Sequence, residues 1–138
     1  MVPVNRKRRK RKSHRVAART ADRAWEAVER GDVGLALKEA ARAAAKAPES
    51  PAAWTDYGRI LALADRLSEA ERVLRKAVLI APSYAEAHVH LAGVLARKGL
   101  TINAALSMRR AVELRPEVAL YRELLARYEA LLPEEEHE

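Results

Sequence analysis

Between residues 52 and 64 the chain reads AAWTDYGRILALA, and Trp54, Tyr57, Leu61 and Ala64 recur every three or four residues. That spacing places them on one face of an amphipathic helix. Ser50 followed by Pro51 supplies an N-cap and a proline at the first helical position. Asp32 stands ready to cap a helix that opens at Val33, and Ser83 with Glu86 three residues on has the form of a capping box. After Pro116 the stretch EVALYRELLARYEALL repeats the apolar spacing, and Pro133 ends it. The pattern predicts helix pairs over about 14–47, 51–81 and 84–115, then one further helix over about 117–132.

These elements are not independent. Pro48, Pro82 and Pro116 lie 34 residues apart and close similar stretches, AARAAAKAP, VLRKAVLIAP and SMRRAVELRP. Gly31 and Gly99 stand two periods apart with Asp65 between them. Ala36, Ala70 and Ala104 keep the same interval, as do Ala43, Ala77 and Ala111. A fixed period of this length signals helix pairs stacked into a solenoid, because one pair alone cannot cover its apolar face. Gly58 and Ala92 are small enough for neighbouring helices to approach closely. The last helix then caps the apolar surface left by the third pair.

The middle repeat resembles the tetratricopeptide repeat family at Trp54, Tyr57, Gly58, Leu61, Ala70, Leu74, Ala77 and Pro82. The third matches at Leu91, Ala92, Leu95, Gly99, Ala104, Met108, Ala111 and Pro116, with His88 where a large aromatic usually stands. The first has Ala24, Ala27, Gly31, Ala36, Ala43 and Pro48, but Thr20 replaces the aromatic and Arg23 a large apolar residue. The resemblance covers roughly residues 17–132. It implies an all-α, right-handed α-solenoid of three helix-turn-helix repeats, at about 17–50, 51–84 and 85–118, plus a C-terminal capping helix.

It also implies a concave groove, lined by the first helix of each pair, that holds a peptide or helix of another protein. By position the groove residues are Asp22, Trp25 and Glu29, then Thr55, Asp56 and Arg59, then Val89, His90 and Arg97, with Glu123 and Arg127 from the cap. One subset of the family clamps a C-terminal carboxylate with Lys, Asn and Arg. The matching slots here hold Ala21, Trp25, Asp56, Glu86 and His90, so that clamp is absent. Trp25 either anchors a partner or packs on the turn around Val16 and Ala17 in place of the aromatic missing at Thr20.

Charge divides the chain. Residues 1–19 carry nine Lys/Arg and no acid, whereas the remainder carries seventeen against nineteen acids, four of them in the closing PEEEHE. The net charge of +7 therefore belongs to the N-terminus, and above all to Arg6, Lys7, Arg8, Arg9, Lys10, Arg11 and Lys12. Like-charge repulsion predicts a disordered or conditionally ordered basic tail at about 1–12, a repeat domain over 13–132 and a fraying acidic end at 133–138. Ser13 can cap the first helix, in which case the run feeds straight into it. Three readings compete for the run: a polyanion-binding arm for nucleic acid or an anionic membrane, a nuclear address, or a solvated tail. No aromatic interleaves it to stack on bases.

Chemistry is sparse. There is no Cys, which excludes disulfides and thiolate metal sites and fits a reducing compartment. His88 and His90 point to different sides of a helix and cannot share a metal, while His14 and His137 lie near the ends. No phosphate loop, nucleophile elbow or zinc spacing is present. No window approaches a membrane span, and no apolar stretch follows the basic run as a secretory signal requires. The expectation is a non-enzymatic, cytoplasmic interaction adaptor without metal or cofactor, with a nucleic-acid-associated protein as the alternative, and self-association through open solenoid ends or opposite tails also open.

Overall fold

The computed structural model describes residues 5–134, and these form seven α-helices with no strand among them. Pairs form between α1 (Arg6–Glu29) and α2 (Val33–Lys46), α3 (Pro51–Leu63) and α4 (Leu67–Ile80), and α5 (Ala85–Arg97) and α6 (Thr101–Leu114); α7 (Ala119–Ala130) follows alone. Each pair packs on the next through α2 with α3, α4 with α5, and α6 with α7, while α3 also touches α1 and α5. Among the described residues no helix is long and apolar enough to cross a membrane.

The turn inside each pair is the same turn. Gly31 and Gly99 have φ of +77° and +80°, and Asp65 takes φ of +60° at the matching position. The left-handed residue lets the chain reverse while the next N–H reaches back into the helix. Asp32 N–H donates to the Ala27 carbonyl, Arg66 N–H to Leu61 and Leu100 N–H to Leu95, each at 2.9 Å.

The turn between pairs depends on proline. Ala47, Ala81 and Arg115 precede it with φ of −132°, −138° and −136°, since proline pushes its predecessor out of the helical region. The freed proline carbonyl is then taken by a side chain six residues on. The Trp54 indole N–H donates to Pro48 at 2.9 Å, His88 Nε2 bonds Pro82 at 2.8 Å, and the Arg122 guanidinium donates to Pro116. Trp54, His88 and Arg122 are one period apart. The slot selects a ring or guanidinium N–H, which is why a histidine stands where the family places an aromatic.

Core volume is traded between facing positions. Gly58 faces Leu74 so closely that a Cβ on Gly58 would lie 2.5 Å from Leu74 Cγ. In the third pair Ala92 packs with Met108, and in the first Ala24 clusters with Ala36 and Ala40. Tyr121, Leu124, Leu125 and Tyr128 of α7 lie half-buried on the Ala92–Met108–Ala111 cluster and close it.

Three boundaries differ from the sequence expectation. The first helix begins at Arg6, and Asn5 rather than Ser13 caps it, its side chain accepting from Arg8 N–H at 3.1 Å. Arg and Lys are good helix formers, and Lys10 Nζ pairs with Glu49 at 2.8 Å, so Arg6–Lys12 is helix and not an irregular tail. The Ser83–Glu86 capping box does not form: Tyr84 is the N-cap, and its hydroxyl donates to the Glu86 carboxylate at 2.7 Å. The last helix opens at Ala119, after a turn closed by Val118 N–H on the Arg115 carbonyl. Residues 1–4, and 135–138 of the acidic end with His137, lie outside the described residues.

Two substitutions test these ties. His88→Leu leaves the Pro82 carbonyl without its donor and should cost about 1–3 kcal/mol in denaturant unfolding, whereas His88→Trp should recover most of that loss. Gly58→Ala gains helix propensity but drives a methyl into buried Leu74, so a net loss of about 1–2 kcal/mol is expected. A more stable Gly58→Ala protein would disprove the close contact.

Candidate functional site

Because α3 lies against both α1 and α5, the three first helices of the pairs present one shared surface. Its centre is Arg59. The guanidinium sits 4.5 Å from the Trp25 ring centroid, a cation–π distance, and its Nη1 lies 3.6 Å from Asp56 Oδ1. Trp25 is half-buried on the Ala24, Ala27 and Ile60 cluster, so one side of the indole is packed while Arg59 covers another. Burial pushes the Asp56 carboxyl up, against the pull of the Trp25 indole N–H and of Arg59.

Beyond Arg59 opens a cleft of about 280 Å³, lined by Arg59, Ala62, Leu63, Leu74, His90, Gly93, Val94 and Arg97. Its floor is apolar and its rim carries two guanidinium groups. Burial, aided by Arg59 and opposed by Glu86, lowers the His90 imidazole to about 4, so His90 is neutral here. Arg97 is held in place by bonds from its guanidinium to the Ala62 carbonyl at 2.8 Å and Asp65 Oδ1 at 3.1 Å. On the other side, a smaller cleft of about 190 Å³ brings Asp22 and Asp56 together with His14, Ala21, Ser50 and Ala53.

Of the residues expected in the groove, Asp22, Trp25, Asp56, Arg59, His90 and Arg97 thus lie along one connected surface. Two do not belong to it. Thr55 is buried at 2% exposure with its Oγ1 lacking a hydrogen-bond partner, because its side of α3 is enclosed by neighbouring elements. Val89 packs on the Ala92–Met108–Ala111 cluster, toward the cap and not the cleft. Glu29 is exposed in the last turn of α1, and Glu123 and Arg127 are exposed on α7. Leu63 and Gly93 were missed. Leu63 lies four residues after Arg59 and so shares its helical face, a signal the sequence did carry.

Residues 27–89 match the family model for the tetratricopeptide repeat. Residues 27–89 are tetratricopeptide-repeat sequence. No curated protein matches it significantly. The Arabidopsis OM64 TPR domain is 14% identical with a TM-score of 0.78, covering 87% of this chain and 99% of that domain. The TPR2B domain of yeast Sti1, solved as a complex with an Hsp70 peptide, is 18% identical with a TM-score of 0.76, covering 84% and 98%. The second TPR domain of human RPAP3, solved with the HSP70 peptide SGPTIEEVD, is 18% identical with a TM-score of 0.75, covering 85% and 98%. The likeness is one of fold: an all-α, right-handed tetratricopeptide solenoid.

The basic run extends the first helix of this tetratricopeptide array. Arg6 to Lys12 are all exposed, and Lys10, through Glu49, is the one member with an ion-pair partner among the described residues. Lys10, with some help from His14, holds the Glu49 carboxyl below its ordinary value. Two clefts of about 270 and 370 Å³ run along this end, and Arg9, Ser13 and Lys46 line both. Among the described residues no group of three or more His, Asp or Glu is placed to hold a metal.

The neutral His90 gives a pH test. Its folded pKa of about 4 lies below the ordinary value of 6.5, so the unfolded chain takes up the proton first. Stability should fall as pH drops from 6.5 toward about 4 and level off below. The melting temperature of a His90→Gln protein should lack this component, and identical pH profiles for the two proteins would contradict the buried imidazole.

Proposed function

We propose that the chain is a non-enzymatic, cytoplasmic protein-interaction adaptor, whose α1–α3–α5 surface holds a peptide or helix of a partner protein. The observation that carries the reading is the continuous surface from Asp22 through Trp25 and Arg59 to the cleft at His90. It combines a packed aromatic, an apolar floor and fixed polar groups, the make-up of an interface hot spot. Sti1 and RPAP3 domains of the same fold are solved with chaperone peptides. The slots that would clamp such a tail hold Ala21, Trp25, Asp56, Glu86 and His90 here, so we assign a different partner chemistry, with acidic and basic groups both engaged. The seven exposed cations of Arg6–Lys12 add electrostatic attachment to a polyanion.

Trp25→Ala, with Arg59 left in place, should weaken capture of the partner from the native host by about 2 kcal/mol, roughly thirtyfold. Its melting temperature should change far less than that of a Trp54→Ala protein. Unaltered capture by a folded Trp25→Ala protein would remove the groove from the reading.

The second reading, a nucleic-acid-associated protein, is favoured by one observation: the seven cations are exposed and ordered as the first turns of α1. Nuclease treatment during capture separates the two, since partners held by the groove survive it and partners bridged by nucleic acid do not.

A further inference from the structure

We propose that the α1–α3–α5 surface selects an extended peptide segment by the order of its charges. The smaller cleft, at Asp22 and Asp56, takes a Lys or Arg side chain. The larger, between Arg59 and Arg97, takes an apolar side chain about four residues away, with a carboxylate within two residues of it. This rests on the adaptor reading of that surface and supplies the chemistry of the partner.

The two clefts carry opposite charge. Asp22 and Asp56 line the smaller among alanines, Ser50 and His14, and no Lys or Arg lines it among the described residues. Arg59 and Arg97 line the larger around Leu63, Val94 and His90, and no Asp or Glu does. Their volumes, about 190 and 280 Å³, fall below the roughly 300–1,000 Å³ of small-molecule pockets. Each has room for a side chain and not for a whole metabolite.

The charges are held in place but not used up. Arg59 Nη1 stands 3.6 Å from Asp56 Oδ1, beyond hydrogen-bond length, and these side chains keep 41% and 27% of their surface exposed. Arg97 is tied to the Ala62 carbonyl and Asp65, yet it is about half exposed and a guanidinium has five N–H donors. Burial already disfavours the charge on Asp56, so an incoming cation relieves it. Leu63 stays 62% exposed beside the larger cleft, apolar area that a partner's side chain covers.

The spacing follows from the helices. Asp56 and Leu63 are seven residues apart on α3, about 10 Å along its axis. The clefts lie on its two flanks, toward α1 and toward α5, which adds a sideways step of about 8–10 Å. The diagonal of about 14 Å is four residues of extended chain.

The experiment is an array of decapeptides on a Gly/Ser background, each with one Lys, one Leu and one Glu, in every order and spacing. It is probed with the full chain and with Asp22→Lys, Arg97→Gln and Trp25→Ala. Signal should concentrate where Glu lies within two residues of Leu and Lys about four from Leu, in either chain direction. Asp22→Lys should favour Glu over Lys at the Lys position by about fivefold, the size of one partly exposed ion pair. Arg97→Gln should erase the preference for Glu near Leu. Asp22 is exposed on α1, so its variant keeps the test whole even where Arg97→Gln loses stability. Signal that follows Glu content alone and survives Trp25→Ala belongs to Arg6–Lys12 and would overturn the charge order. Trp25-dependent signal from other orders would overturn it too, while leaving the adaptor reading in place. No Trp25-dependent signal from any peptide would overturn both.

Discussion

Every junction between repeats rests on one hydrogen bond to a proline carbonyl. The proline ends the second helix of a pair and leaves its own oxygen without a helical partner. Each of these prolines is exposed, yet in all three a side chain takes up the oxygen. Trp54, His88 and Arg122 do so from the first turn of the following helix, and the bond fixes where that helix starts and how it leans. Three chemically unlike side chains share only an N–H at the right reach. In the first pair His14 stands at the periodic proline position, and there Thr20 turns its hydroxyl inward to the Val16 carbonyl at 2.9 Å.

The concave surface inherits its geometry from those junctions. Once α1, α3 and α5 are set side by side, Trp25, Arg59 and His90 come into line although 65 residues separate the first from the last. Ion pairs follow the same stacking. Glu71 of α4 accepts from Lys98, just after α5, at 2.8 Å and from Arg75 at 3.0 Å, and both hold its carboxyl below the usual range. Exposed pairs of this kind contribute little to stability, but Glu71 is mostly sheltered and its bond to Lys98 crosses a repeat boundary.

Much of this was legible because it repeats. The 34-residue spacing of Pro48, Pro82 and Pro116, and of Gly31, Asp65 and Gly99, marks both kinds of turn, and Ser50 and Asp32 cap the helices they precede at 3.2 and 3.1 Å. Thr55 and Val89 were misplaced for a geometric reason. The first helix of a repeat is flanked by its partner and by both neighbouring first helices, so a polar residue such as Thr55 can be enclosed without any change in the local pattern. The start of α1 was hidden differently. Arg6 to Lys12 contains no apolar residue, so periodicity is silent there, and the signal lay in a lone capping Asn5. Ser83 misled because a serine three residues before a glutamate is necessary for a capping box but not sufficient.

Of the described helices, α1 alone carries both the basic run and part of the groove, and it is a single uninterrupted helix of 24 residues. At 1.5 Å per residue, Lys10 and Trp25 stand about 22 Å apart along its axis, with no hinge between them. Two ligands bound at these places would be held at a set distance and a set angle, as by a ruler and not a tether. A flexible linker raises local concentration and leaves orientation free. A rigid one also decides which face of its cargo meets the anchoring surface, and adding or removing a single residue within it turns that face by about 100°.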